Sequence, residues 1–402
     1  MPNMLDYLRE YGDVGLDAMP LNDVDKLILA QLIYSDFAPT FSSPEQPVAL
    51  KEALPTIGMA TDGADSLEQR FFFKHDDDGK LVRLLMDSPR FSSMRLIGYV
   101  NKLELEREVQ FAAVALLVGD GTVLIAYRGT DDSLVGFKED CNMAFVAPVP
   151  SQTEALSFLS RVAVQTPLPI QLCGHSKGGN LSVYAAAFCD DIVRARIREV
   201  VSFDGPGLSE IDSDTEGYGW IHDRVRVLMP RGSIVGLLFS QRVPITYILS
   251  KKRGILQHYA YNWQVDGTGF APADNPTASG AYSSETARRF IGGLTMNERE
   301  LFVEAVYAIA QATEAATWPE LLKDWRHSTV QVVKALHELD SKTAKLFSRV
   351  LGIFLRAAVD AVGMPAFYAR VLGFYYSRKL SLSVRLQAAV RWGKSRVLGQ
   401  IK

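Results

Sequence analysis

Residues 168–190 read Leu-Pro-Ile-Gln-Leu-Cys-Gly-His-Ser-Lys-Gly-Gly-Asn, then Leu-Ser-Val-Tyr-Ala-Ala-Ala-Phe-Cys-Asp. The apolar run 168–173 predicts a short buried strand. Residues 180–190 predict a helix, with Leu181, Tyr184, Ala185 and Phe188 at helical spacing. Between them Gly174-His175-Ser176-Lys177-Gly178 fits G-x-S-x-G. Strand, sharp turn and helix are what a serine presented on a strained turn requires, and glycine lets the two backbones pass closely. The pattern alone arises by chance often enough that a glycine-rich turn with a solvated serine is the plain alternative. The flanks on both sides decide against it.

Composition sets the frame. The chain has 402 residues, 48% hydrophobic and 22% charged, as in ordinary globular proteins. Three cysteines, widely spaced, make no disulfide framework. No CxxC or HExxH pattern occurs, so no metal and no cofactor is expected. The N-terminus lacks a basic segment followed by an apolar one, and no run of 18 uncharged apolar residues occurs. These features predict a soluble, cytoplasmic protein. The formal charge of −3 hides an asymmetry. From position 361 onward there are eight Lys or Arg and no Asp or Glu, which leaves 35 basic against 46 acidic residues before it.

Along the chain, 1–20 reads as a short helix and a loop. Asn22 or Asp23 caps a strong helix with Val24, Leu27, Ile28 and Leu32 on its apolar face. Residues 38–66 read as loop with short turns. A helix over 67–85 is expected to be interrupted at Asp76-Asp77-Asp78-Gly79, where a solvated turn is favoured over a cation site. Strands are predicted at 95–100, 110–118 and 122–127, an antiparallel meander leading into a parallel sheet. After a helix at 151–166 and the serine turn come strands at 199–203, 224–229, 244–250 and 259–265. Strands alternating with helices predict a mainly parallel sheet covered on both faces. From about 284 the periodicity is helical throughout. The expected organisation is therefore a catalytic-type domain over 1–283 and a helical region over 284–402.

A nucleophilic serine needs a base, an acid to orient that base, and donors for an oxyanion. Six histidines are available. His75 precedes the sheet, His175 lies inside the turn and is expected to point away from substrate, and His327 and His337 fall in the helical region. That leaves His258, in a loop after the last crossover, and His222 as the alternative. The acid is expected at Asp204, at the end of the strand after the elbow helix, with Asp223 as a lesser choice. Asp-Gly-Pro-Gly is also a turn in its own right. The oxyanion donors are expected to be the Lys177 amide and Thr130, whose hydroxyl can add a further donor. Gly129-Thr130-Asp131 can equally turn the chain and cap a helix.

These residues resemble a known family. Ala126-Tyr127-Arg128-Gly129-Thr130 resembles the F-R-G-[ST] element of the class 3 lipases. The 174–179 segment resembles their G-H-S-x-G-G elbow, and 203–207 their F-G-x-P turn, shifted in detail. More closely, residues 1–275 look like a bacterial lipase-like family of unknown function within the α/β-hydrolase superfamily. The features are Asn22-Asp23-Val24-Asp25, the segment 92–105, Ser233-Ile234-Val235-Gly236, and Gln257-His258 followed by Trp263. The resemblance implies an α/β-hydrolase fold, Ser176 as nucleophile, His258 as base, and Thr130 with the Lys177 amide as oxyanion hole. Ser233 stands where class 3 lipases carry aspartate, which moves the acid to Asp204.

The expected activity is hydrolysis of a carboxylic ester, of a lipid or another apolar substrate; the apolar stretch 234–249 can line a pocket. The competing expectation is a non-catalytic relative that binds a ligand or partner, at a membrane surface in one version. The basic amphipathic tail, 370–402, suits an anionic membrane surface, the acidic body of this chain, or its own helical bundle. Nucleic acid is not an expected partner, since no binding module is visible and the pI is near 6.1.

Overall fold

The computed structural model describes residues 1–38, 47–62, 75–209, 212, 215–239, 241–277, 280, 285, 292–311, 317, 341, 343–346 and 349. The expected tail, 370–402, and His327 and His337 lie outside the described residues.

Eight strands form one sheet in chain order: β1 Val48–Ala49, β2 Arg95–Glu104, β3 Val109–Leu117, β4 Val123–Tyr127, β5 Ile170–His175, β6 Ile197–Phe203, β7 Val225–Pro230 and β8 Ile245–Ile248. The first four pair antiparallel. From β4 to β8 every pairing is parallel. The parallel strands are apolar almost throughout because both faces are covered, as β4 illustrates: all five of its residues are buried.

Alternation along the strands sends side chains to two separate cores. Leu124, Ala126, Cys173, Val201 and Phe203 pack beneath α1 Met4–Tyr11, α2 Asp23–Leu32, α3 Leu50–Asp62 and α4 His75–Met86. After the single turn α5, Pro89–Ser92, and α6, Leu134–Asn142, come α7 Pro150–Gln165 and α8 Lys177–Phe188. These last two cover Val123, Ile125, Tyr127, Leu172 and Val200 on the other face. Strands added in one direction through right-handed crossovers put their crossover helices on one face. The opposite face is left to the N-terminal helices, which is why some 90 residues precede the meander.

Those helices are well specified locally and tied together by one buried cluster. Asn22 caps α2, accepting from the Val24 and Asp25 amides, while Asp25 returns a bond to the Asn22 amide. Arg90 is fully buried and engages both Asp25 oxygens at 2.8 and 2.6 Å. Its remaining donors satisfy the carbonyls of Val14, Met19 and Pro20. Tyr7 donates to Asp25 as well, at 2.9 Å.

Several local expectations are corrected. Residues 50–62 are helical (α3) rather than loop. The acidic triplet does not interrupt a helix; it forms the first turn of α4, where acidic side chains suit the helix dipole. Asp77 and Asp78 there accept from the hydroxyls of Tyr259 and Tyr261, at 3.1 and 2.7 Å. Residues 259–265 do not add a strand to the sheet. They hold a 3-10 turn, Ala260–Asn262, and then Val265–Asp266 pairs with Gly269–Phe270 in a separate two-stranded ribbon.

By its contacts the chain divides into one unit of Met1–Arg288 with Ala316–Glu320 and a second of Arg289–Ala315 with Leu321–Lys402. Among the described residues of the second unit, the helix Met296–Gln311 is capped by Thr295, whose hydroxyl bonds Glu298. Leu294, Leu301, Phe302 and Leu346 form its small apolar cluster.

Candidate active site

At the C-terminal end of β5 the chain reverses into α8 within one residue. That residue is Ser176, at φ 58° and ψ −131°, a sparsely populated conformation for any residue with a Cβ. Two glycines make the turn feasible. A Cβ on Gly174 would stand 2.2 Å from the Gly178 backbone, and one on Gly178 would stand 2.1 Å from the Tyr127 carbonyl oxygen. The turn is therefore wedged between its own helix and β4.

His258 arrives from the loop after β8. Its Nε2 lies 2.9 Å from Ser176 Oγ and its Nδ1 2.8 Å from Asp204 Oδ2. A carboxylate only accepts, so Nδ1 carries the proton and Nε2 accepts from the serine hydroxyl. Asp204 terminates β6 at a positive φ of 51° and is fully buried. Its second oxygen accepts from the Ser233 hydroxyl at 2.5 Å and the Gly236 amide at 3.1 Å. The serine at position 233 thus holds the acid rather than replacing it.

The loop after β4 and the start of α8 meet at Ser176. A Cβ on Gly129 would sit 3.0 Å from the Ser176 Cβ, so the loop after β4 lies directly against the serine. Lys177 opens α8, and its amide has no acceptor within the helix. The Thr130 amide makes no backbone hydrogen bond among the described residues. Lys177 stands at the N-terminus of α8, the positive end of that helix's dipole. The Thr130 hydroxyl, expected as a further donor, instead donates to Asp140 at 2.6 Å. Desolvation raises the Asp140 pKa to about 6 against the opposing pull of Lys177 and Thr130. About 34% of the Asp140 side chain still meets solvent, which limits that effect.

The Lys177 side chain turns inward and is buried. Its ammonium donates to the Gln110 carbonyl, the Gln110 side chain and Glu139 at 2.8, 2.6 and 2.9 Å. Glu139 in turn accepts the amides of Gln110 and Ser151. A buried pair this fully satisfied anchors the start of α8 to β3 and α6.

The structure brings Ser176, His258, Asp204, Lys177 and Thr130 together. His222 is elsewhere: it lies in the 3-10 turn just before β7, bonded to Asp223 and the Arg242 carbonyl. For two residues that the sequence analysis names, Ser233 and His175, the contacts are new. Ser233 carried a signal, being the hydroxyl at the position where aspartate was expected. His175 was set aside, yet its ring stacks on His258 at 4.6 Å. An open groove of about 530 Å³ lies at the opposite end of the sheet, among Asp23, Lys26, Gln171, Glu199 and Arg226. Its Lys26 and Arg226 are paired with Glu199, and Arg226 also with Asp23. Among the described residues no cluster of His, Cys, Asp and Glu is arranged to hold a metal ion.

A mainly parallel sheet with helices on both faces, and a serine on a strand–helix elbow at its C-terminal edge, define an α/β-hydrolase-fold protein. Residues 85–308, more than half of the chain, match the Mbeg1-like family model, and the chain belongs to that family. Among solved structures it is similar to the crystal structure of M37 lipase, at 15% identity and a TM-score of 0.33. That alignment covers 53% of this chain and 68% of that one. No curated protein matches the chain.

Proposed function

We propose that this protein is a serine hydrolase that cleaves a carboxylic ester through an acyl-enzyme on Ser176. The observation that carries the reading is the unbroken line from Ser176 Oγ through His258 to a buried Asp204, at 2.9 and 2.8 Å. A scaffold that merely bound a partner would have no use for a carboxylate behind a histidine in reach of a serine on a strained turn.

In this mechanism His258 Nε2 takes the Ser176 proton as Oγ attacks the ester carbonyl. The negative charge on the former carbonyl oxygen is met by the amides of Thr130 and Lys177. The intermediate collapses, the C–O bond to the alcohol breaks, and His258 returns the proton to the departing oxygen. Water then repeats the sequence on the acyl-enzyme, releasing the acid and restoring Ser176. Asp204 holds the Nδ1–H tautomer throughout and stabilises the transient imidazolium.

An apolar substrate is favoured by a large apolar side chain left exposed near these elements. Leu256, half exposed, lies two residues before His258. A class 3 lipase-like activity on lipid esters is the specific form of the proposal. It includes a hydrolase domain over 1–283, a separate helical region over 284–402, and contact of 370–402 with an anionic membrane from the cytoplasmic side. Among the described residues no helix is long and apolar enough to cross a membrane.

The test uses a fluorophosphonate probe and p-nitrophenyl esters of graded acyl length. Wild type should be labelled and should hydrolyse the longer esters, while Ser176→Ala should do neither. Equal labelling of both sinks the reading. Flotation with anionic liposomes, with and without 370–402, tests the membrane contact.

A further inference from the structure

His175 precedes Ser176 and is fully buried, yet its side chain faces the base rather than a filler cavity. Its Nε2 lies 2.8 Å from the His258 carbonyl oxygen. A carbonyl cannot donate, so Nε2 must carry the proton, and Nδ1 is left bare, with no partner among the described residues. The two imidazoles stack with 29° between their planes. Trp263 also meets His175 edge-on and donates its own ring N–H to the Gln257 carbonyl at 2.9 Å. Two ring donors therefore hold the two successive carbonyls, 257 and 258, that lead into and out of the base.

A phenyl ring would fill the same space without burying an unpartnered nitrogen, an arrangement that native interiors avoid. The imidazole must be retained for what its other nitrogen does. We propose that His175 is a positioning residue for His258: it clamps the His258 carbonyl through Nε2–H and supports the base with a neutral ring. This rests on the serine-hydrolase reading. The base turns cationic during the reaction, so a neighbour that stayed uncharged would be required. Burial, together with the nearby His258, pushes the His175 pKa well below the usual histidine value.

The test is nitrogen and proton NMR of the full chain, with fluorophosphonate labelling rates alongside. In wild type, His175 should show a slowly exchanging Nε2–H and a bare Nδ1 from pH 5 to 8, and the His258 Nδ1–H facing Asp204 should give a sharp downfield resonance. His175→Phe should broaden that resonance and slow labelling at least about tenfold. His175→Gln, whose amide nitrogen reaches about as far from Cβ as Nε2 does, should restore both. A protonated or Nδ1–H His175 in wild type overturns the proposal, whether or not the variants fold. So does a His175→Phe variant with the resonance and labelling rate of wild type, or a His175→Gln variant no better than Phe. If wild type is never labelled, the hydrolase reading fails, and the NMR results alone still decide whether His175 positions His258.

Discussion

Ser233 donates its hydroxyl to the one oxygen of Asp204 that His258 does not use, at 2.5 Å. The Gly236 amide joins it at 3.1 Å. The carboxylate thus accepts one donor from His258 and two from the turn after β7, while buried away from water. Hydrogen bonds to a buried charged group are worth about 1.5–3 kcal/mol each. We expect Ser233→Ala to lose stability on that scale and to slow acylation severalfold, read from thermal unfolding and from labelling rate. Ser233→Asp should fare worse, since two carboxylates would then compete for one proton.

Asp204→Asn keeps the shape and removes the charge. Its amide can donate to His258 and so favour the wrong tautomer. In serine proteases the equivalent change lowers turnover by about 10⁴, and we expect a loss of roughly 10³–10⁴ here, with the melting temperature shifted little. Ester hydrolysis by the purified variant decides it. A variant within tenfold of wild type would place the acid elsewhere.

Asp140 links the oxyanion loop to pH. Its folded pKa, about 6, lies above the ordinary 3.8 chiefly through desolvation. Between those values the folded chain keeps a proton that the unfolded chain has lost, so this group's contribution to stability falls as pH rises. Lys177, Thr130, Glu139 and Asp131 are the groups that bear on it. Asp140→Asn should remove that slope, so its stability relative to wild type should rise across the window. Chemical denaturation at several pH values between 4 and 7 checks the sign. Ionised Asp140 also occupies the Thr130 hydroxyl, so Thr130→Val should reduce kcat at neutral pH only modestly, the amide remaining.

Arg90→Met strands the Asp25 carboxylate in the N-terminal core. Breaking one side of a buried pair costs about 3–5 kcal/mol, and three backbone carbonyls lose their donor as well. The expected result is a marked drop in denaturation midpoint. A double variant that also replaces Asp25 with Asn should recover part of it.

What the sequence disclosed was whatever is written locally. The elbow, the meander into a parallel sheet and the Asn22 cap are patterns of neighbours, and they were read. His258 is the expected base by elimination among six histidines, and Asp204 the expected acid from its place at the end of the strand after the serine helix. The missed features depend on partners far apart. Arg90 meets Asp25 across 65 positions, and Asp78 meets Tyr261 across 183. An acidic triplet looks like a solvated turn until its acceptors find buried phenols. Residues 259–265 are apolar enough for a strand, but they are spent on fixing the base and on a small ribbon. His175 was dismissed because the elbow motif speaks of its position and is silent on what approaches it.

The order of the strands bears on how the chain comes to be folded. During synthesis α1 and α2 are made before the strands they cover. The surface they cover, including Cys173, Val201, Phe203 and Leu228, is made well over a hundred residues later. The parallel sheet can be extended strand by strand as it emerges, each crossover helix closing its own face. The apolar sides of α1 and α2 find these partners only once β5, β6 and β7 are made. Ser176, Asp204 and His258 come from three separate segments, so the line they form exists only when β5, β6 and the loop after β8 are all in place.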